Sequence, residues 1–162
     1  MLIISEQARI SPLADIEDSV RGSKIVIEAG AVIDSFVKIK PAGGTGDFRL
    51  GEGSQLNSGV VIYTGNGIEI GKNVLVAANC TLAPTNHAYR SKDKTIREQR
   101  FLPSKGGILI EDDVWIGANC VILDGAVIRK GVVVGAHALV RGELEPYGVY
   151  AGNPLRLISH RE

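Results

Sequence analysis

Few side chains in this 162-residue sequence can move a proton near neutral pH, and three of them are histidines: His87, His137 and His160. A neutral imidazole can take a proton from a hydroxyl and give it back, because its ordinary pKa lies close to the working pH. His160 stands almost at the chain end and reads as a surface side chain, while His137, in Gly135-Ala136-His137, falls at a corner and reads as lining solvent or a groove. His87 has different surroundings. Counting on from Leu82, Asn86 takes an inward slot and His87 faces outward, immediately before a charged run. A rigid segment then fixes His87 and a mobile one roofs it, as a general base would require. Cys80 and Cys120 fall at small apolar positions and read as packed, reduced thiols, indicating neither a disulfide framework nor a zinc site. Trp115 alternates with Val114 and Ile116, so it points away from them and burial within its own unit does not explain it.

The element that must hold these groups is a six-residue repeat. Ile110, Ile116, Ile122, Ile128, Val134 and Val140 stand six apart, and four positions after each comes Val114, Cys120, Ala126, Val132, Ala138 or Leu144. In extended backbone alternate side chains share a face, so Val114 and Ile116 point one way. Gly117-Ala118-Asn119 then turns the chain, and Cys120 and Ile122 resume the row. Each unit is a short strand plus a corner that cannot bury its own apolar row, whereas stacked coils bury it continuously. A period of six does not keep one face of a helix at 3.6 residues per turn, and glycines at 117, 125, 131 and 135 argue against helix interiors. An all-β solenoid is expected.

Earlier in the chain Ile10 and Ile16 start the row, with Ala14 and Val20 as companions; Ile27, Ile33 and Ile39 continue it with Ala31 and Val37. Pro41 to Asp47 reads as a loop, Leu50, Leu56 and Ile62 restart the period, Gly65-Asn66-Gly67 is a corner or small bulge, and Ile70, Val76 and Leu82 follow. With three sides per coil there are about six coils, a prism roughly 29 Å long at ~4.8 Å each. From Ala88 to Ser104 the period stops in favour of Arg, Lys, Asp, Glu and Gln, an excursion that reads either as a disordered insertion or as a functional lid. The residues after Glu145 suit a cap on the open end. The expected organisation is therefore one domain over 1–162, with an extruded loop at about 88–107 and a cap at 146–162.

Bulk properties narrow the function. Net charge is zero at pH 7 and the pI is 6.8, which leaves no electrostatic footprint for nucleic acid. No apolar run reaches the ~18 residues of a membrane span, and the first residues lack the features of a secretory signal, so a cytoplasmic location is expected. Aromatics are scarce at 5% and glycines number 20, as suits a thin prism filled by Ile, Val and Ala.

The hexapeptide row, Thr85-Asn86-His87-Ala88-Tyr89, Asp113-Val114-Trp115-Ile116-Gly117-Ala118-Asn119 and Ala151-Gly152-Asn153-Pro154 together resemble the hexapeptide-repeat acyltransferases. The nearest branch is that of galactoside, maltose and nodulation-factor O-acetyltransferases with their capsule and O-antigen relatives. The likeness is specific from about Gly51 to Ile158 and loose before. It implies a left-handed parallel β-helix, a handedness that the period alone does not decide. It also implies a homotrimer with active sites between subunits, acetyl-CoA as donor, a saccharide or sugar-nucleotide acceptor, and no metal. By the same resemblance His87 is the general base of a direct transfer, Asn57 contacts the acceptor, and the Ala118 N–H approaches the thioester oxygen. Trp115 lies near the acetyl and acceptor pocket. Gly117, Ala118, Gly135 and Ala136 line the path of the pantetheine arm, and Arg156 meets a CoA phosphate, with Arg129, Lys130 and Arg141 adding charge to that end. No carboxylate stands out as the orienter of His87; Asp47 and Glu69 qualify by composition only.

The expected activity is thus O-acetylation of a saccharide hydroxyl, in cell-surface polysaccharide biosynthesis. N-acetylation of an amino sugar and a non-catalytic trimeric scaffold are the alternatives. A metal-dependent hydratase on this fold would need three histidines gathered on neighbouring turns, which His87 and His137 do not supply.

Overall fold

A six-residue side brings the chain back to the same face after every third side, so each inward residue meets its counterpart one coil away. In the computed structural model, which describes residues 1–162, three parallel sheets are wound as a left-handed β-helix. The first sheet has seven strands, from Leu2–Ile4 to Glu143–Leu144, and the third has six, from Asp15–Ile16 to Leu139–Val140. The second has eight, starting at Arg9–Ile10 and ending with Gly148–Ala151 and an antiparallel Arg156–His160. Six coils are complete and a seventh begins.

The rows seen in the sequence are the ladders seen in space. Leu56, Val76, Ile116 and Val134 pair in register, as do Ile62, Leu82, Ile122 and Val140. These residues belong to one core of 31 buried hydrophobic residues. Each large aliphatic among them contributes about 1.5–3 kcal/mol by leaving water. Corners between the second and third sheets put Asn79, Asn119 and His137 at φ of 60°, 59° and 61°, a conformation asparagine tolerates well. Outside, the first sheet is charged: Arg49 bridges Glu28 and Glu69, and Arg129 bridges Glu111 and Glu143. The other two sheets present Val32, Leu75, Trp115, Val133 and Val149, and Val61, Ala83, Val121, Leu123 and Leu139.

Three regions depart from the expected pattern. Val20 is 98% exposed and joins no inward row, because Ser19 Oγ accepts from Arg21 N and Ser23 N in a turn that carries the chain outward. The excursion has its own order, a one-turn helix Ile96–Gln99 started by a capping box in which Thr95 and Glu98 hydrogen-bond each other. At the C-terminal end the chain forms a hairpin, and Tyr150 closes the core with its hydroxyl accepting from Glu145 N at 2.9 Å. No helix is long and apolar enough to cross a membrane.

Candidate functional site

His87 leaves the third sheet just beyond the strand Thr81–Ala83. The inward row ends at Leu82 and Pro84, and Asn86 is half-buried instead of occupying a core slot, because its carbonyl turns to accept from Leu102 N at 2.8 Å. This exit is held from below. Asn66 Nδ2 donates to Pro84 O at 2.7 Å, and Gly65 leaves room for the Thr85 hydroxyl, which any Cβ there would overlap. The returning segment is held by buried Asp124, whose carboxylate accepts from Lys105 N at 2.8 Å and Gly107 N at 3.0 Å.

Between these two anchors the excursion folds back on His87. His87 and Phe101 form an antiparallel bridge, Ala88 N donates to Arg100 O at 2.9 Å, and the two rings lie 4.6 Å apart. His87 Nδ1 is 3.2 Å from the same Arg100 oxygen. A carbonyl can only accept, so Nδ1 carries the proton and Nε2 is left with a lone pair, the form a general base needs. Arg100 has φ 60° and ψ −135°, a backbone state costing about 1–3 kcal/mol in a non-glycine residue, and it turns the carbonyl toward His87. A main-chain oxygen therefore orients the histidine. The two carboxylates considered from composition are elsewhere: Glu69 pairs with Arg49 at 3.0 Å, and Asp47 accepts from Lys24 N at 2.8 Å.

The other expected residues gather at the corner column between the second and third sheets. Asn57, Gly117-Ala118 and Gly135-Ala136 sit at corners of this column, with the Ala77-Ala78 corner between the first two, and Arg156 follows the hairpin turn at the last one. Gly117 is imposed by stacking: a Cβ there would lie 2.6 Å from Ala136 N. Beneath the column lie the thiols. Cys80 Sγ donates to Gly117 O at 3.1 Å and Cys120 Sγ to Gly135 O at 3.2 Å. The Cys120 thiol and burial push the Cys80 thiol up from its ordinary value, which keeps it a neutral donor. With those carbonyls drawn inward, the planar trans peptides aim the Ala118 and Ala136 N–H groups outward, and neither donates to any group in the chain. A column of small residues with free outward donors fits an extended, amide-bearing ligand arm and a polarised carbonyl.

Trp115 projects from the second sheet, 53% exposed, into a hollow of about 310 Å³ shared with Leu75, Val133 and Arg161. Arg129 and Lys130 stand at the corner between the first and second sheets and Arg141 at that between the third and first, so none joins Arg156. Arg129 is moreover tied up in its two ion pairs. Within one chain His87 and the Ala118 corner occupy opposite edges of the third sheet and line no common cavity. Sequence reasoning missed Arg100, Phe101, Asn66 and Asp124, although Thr95-Ile96-Arg97-Glu98 carries the readable signature of a helix start.

Residues 107–142 match the family described as bacterial transferase hexapeptide (six repeats), and residues 56–84 match the hexapeptide repeat of succinyl-transferase. A probable acetyltransferase of Mycobacterium tuberculosis is 33% identical over 72% of this chain and 38% of its own length. Galactoside O-acetyltransferase of Escherichia coli is 33% identical over 69% of this chain and 53% of its own. The chain thus spans between about two fifths and half the length of these relatives. Among solved structures, a hexapeptide-repeat acetyltransferase of Vibrio cholerae with acetyl-CoA bound is 27% identical, with a TM-score of 0.65 over 81% of this chain and 70% of that one. A variant of AntD, an N-acyltransferase of Bacillus cereus solved with dTDP-4-amino-4,6-dideoxyglucose and coenzyme A, is 24% identical and has a TM-score of 0.82 over 98% and 83%. That last likeness concerns the fold alone. Both matches fall on the ladders described above, so residues 56–84 and 107–142 carry the hexapeptide repeat of the transferases that these models describe.

Proposed function

We propose that this chain is an acetyl-CoA-dependent O-acetyltransferase with His87 as general base and a saccharide or sugar-nucleotide hydroxyl as acceptor. The observation that carries the reading is the hydrogen bond from His87 Nδ1 to Arg100 O, which leaves Nε2 free on an exposed edge of a rigid stack. In the reaction Nε2 takes the hydroxyl proton as the acceptor oxygen attacks the thioester carbonyl. The C–O bond forms, the C–S bond breaks, and the histidine returns its proton to the departing thiolate. The protein contributes positioning and proton transfer, the latter worth about 10²–10⁴-fold. The Ala118 N–H serves the developing oxyanion, a contribution of about 10²–10³-fold. Gly117, Gly135, Ala136 and Trp115 hold the donor's arm, Arg156 its phosphate, and Asn57 the acceptor.

Because base and oxyanion donor lie at opposite edges of one sheet, a complete site requires a second subunit to bring a corner to His87. The apolar outer rows of the second and third sheets supply two different surfaces, which form a heterologous contact that closes as a ring. We read that ring as a homotrimer with three sites between subunits. Acetyl-CoA as donor places the reaction in the cytoplasm and makes cell-surface polysaccharide precursors fitting acceptors. Transfer to a hydroxyl is favoured over transfer to an amine because a hydroxyl of high pKa gains more from a base.

An acceptor panel tests the reading, with CoA release measured for wild type and His87→Ala. Release by the wild type that falls at least 100-fold in the variant is expected. Equal rates with the true acceptor would sink the general-base assignment. Absence of any thermal stabilisation by acetyl-CoA would favour the non-catalytic scaffold.

A further inference from the structure

The excursion at 88–107 is where the charge of this balanced chain becomes uneven. It holds six basic residues, Arg90, Lys92, Lys94, Arg97, Arg100 and Lys105, against two acidic ones, Asp93 and Glu98, a net of +4 in a chain whose 18 basic and 18 acidic residues cancel. None of the six takes part in an ion pair. Glu98, the one acid within the helix, is turned to the helix start, where it accepts from Thr95 N and Thr95 Oγ1 at 2.8 Å each. Elsewhere on the molecule five basic residues, Lys40, Arg49, Lys72, Arg129 and Arg161, are held in ion pairs.

Two of the unpaired arginines share a hollow with the proposed base. Arg97 and Arg100, with Ile96 and Phe101, line a hollow of about 540 Å³ that has His87 on its wall. On the other side of the same His87–Phe101 ridge lies a second hollow of about 340 Å³, lined by Ala42, Gly43, Tyr63, Ala83 and Thr85. The ridge thus divides a cationic chamber from an uncharged one with an aromatic wall. A guanidinium offers a planar pair of donors that matches a carboxylate or phosphate, and it binds such groups better than it binds neutral sugar hydroxyls.

We infer that the acceptor carries a fixed negative charge, a phosphate, diphosphate or carboxylate, which Arg97 and Arg100 hold in the cationic chamber while its sugar ring rests against Tyr63 and its hydroxyl meets His87 Nε2. The inference rests on the acetyl-transfer reading and narrows its acceptor from saccharides in general to anionic ones. Arg100 then acts twice, through its carbonyl on His87 and through its side chain on the acceptor. Substituting the side chain alone separates the two roles.

The experiment uses matched acceptors: a neutral methyl glycoside, its phosphate ester, the corresponding uronate and a nucleoside-diphosphate sugar. Wild type, Arg97→Gln, Arg100→Gln and the double variant are compared by CoA release. Charged acceptors should exceed the neutral one in kcat/KM by about 10- to 100-fold, the scale of hydrogen bonds to a charged group. The double variant should erase that preference through acceptor KM and leave the KM for acetyl-CoA within about twofold. Preference among the phosphate, diphosphate and carboxylate arms identifies the anion. A neutral acceptor used equally well by wild type overturns the inference, and so does a variant that raises the acetyl-CoA KM instead, since the cations would then serve the donor. Binding of inorganic pyrophosphate, followed by calorimetry at saturating CoA, is the readout that does not depend on turnover: binding lost in the double variant supports the inference, and binding that is absent or unchanged overturns it. CoA release that depends on His87 but not on acceptor charge defeats this inference alone, whereas release indifferent to His87 defeats the catalytic reading beneath it.

Discussion

The coil stack and the excursion are held together by different physics. In the stack every inward residue meets a like residue one coil away, so 31 buried side chains repeat one packing solution. In the excursion no side chain of the helix Ile96–Gln99 is buried, and order comes from single hydrogen bonds: between Asn66 and Pro84, between Asp124 and both Lys105 and Gly107, and between His87 and Arg100. The stack therefore stores stability redundantly, while the excursion holds the proposed base, His87, through contacts that are each made once. Substitutions should sort into two classes accordingly, and the sharpest is His87→Ala. It should lower CoA release by about 10²–10⁴-fold and leave the thermal midpoint unmoved, since the ring is exposed and is held by one hydrogen bond to Arg100 and by the Phe101 ring. A matching loss of stability would show that the excursion is part of the packed body after all.

Ile116→Ala should do the reverse. Ile116 is fully buried and stacked between Val76 and Val134, so truncation should cost about 2–5 kcal/mol in denaturant unfolding. CoA release per folded molecule should stay within about twofold. A large loss of kcat in the folded fraction would mean that strain passes from the stack to the corner at Gly117 and Ala118.

The same contrast explains what could be read from sequence. The inward rows were legible because each of some dozens of residues votes for one period, and the corners followed because a strand of that length must turn. Val20 broke the rule at the first coil, where a local serine turn competes with a row that has no coil beneath it. The position of His87 was legible from the point at which the period stopped. Its orienter was not, because a main-chain carbonyl has no residue type to announce it. Nor was Asp124, which stands at a corner where an aspartate would pass as an ordinary turn residue, and whose two amide partners arrive from 17 and 19 positions earlier. The free N–H groups at Ala118 and Ala136 likewise depend on which way two peptides are turned, and the thiols beneath them decide that.

Asp124 joins the two regions, so its substitution should show both effects at reduced size. Asp124→Ala removes the acceptor from two amides at the base of the excursion, a cost of about 1–3 kcal/mol for groups left unpaired. Hydrogen exchange should quicken across the excursion and CoA release should fall roughly tenfold through misplacement of His87, a modest share of what mispositioning can cost. If exchange quickens in the coils as well, the boundary between the two regions is not where these hydrogen bonds put it.

The smallest effect belongs to the capping box, and pH probes it without any substitution. The Thr95 hydroxyl and amide both donate to the Glu98 carboxylate and hold its pKa below the ordinary 4.5. A carboxyl lowered in the folded state stabilises that state above its ordinary pKa, and the contribution fades as pH falls through the lowered value. The helix Ile96–Gln99 should therefore be intact at neutral pH and fray on acidification below about pH 4.5, before the coils respond, since they hold together by apolar burial. Exchange at the Thr95 and Glu98 amides, corrected for its intrinsic pH dependence, reports this directly, and Thr95→Ala should reproduce the frayed state at pH 7. Because the helix carries Arg97, Thr95→Ala should also raise acceptor KM by about two- to fivefold, the lower half of the range of about 0.5–2 kcal/mol for a lost cap. An acid-induced change that begins in the coils instead would show that the ion pairs of the first sheet, Glu28–Arg49 and Glu111–Arg129, matter more to the stack than exposed pairs normally do.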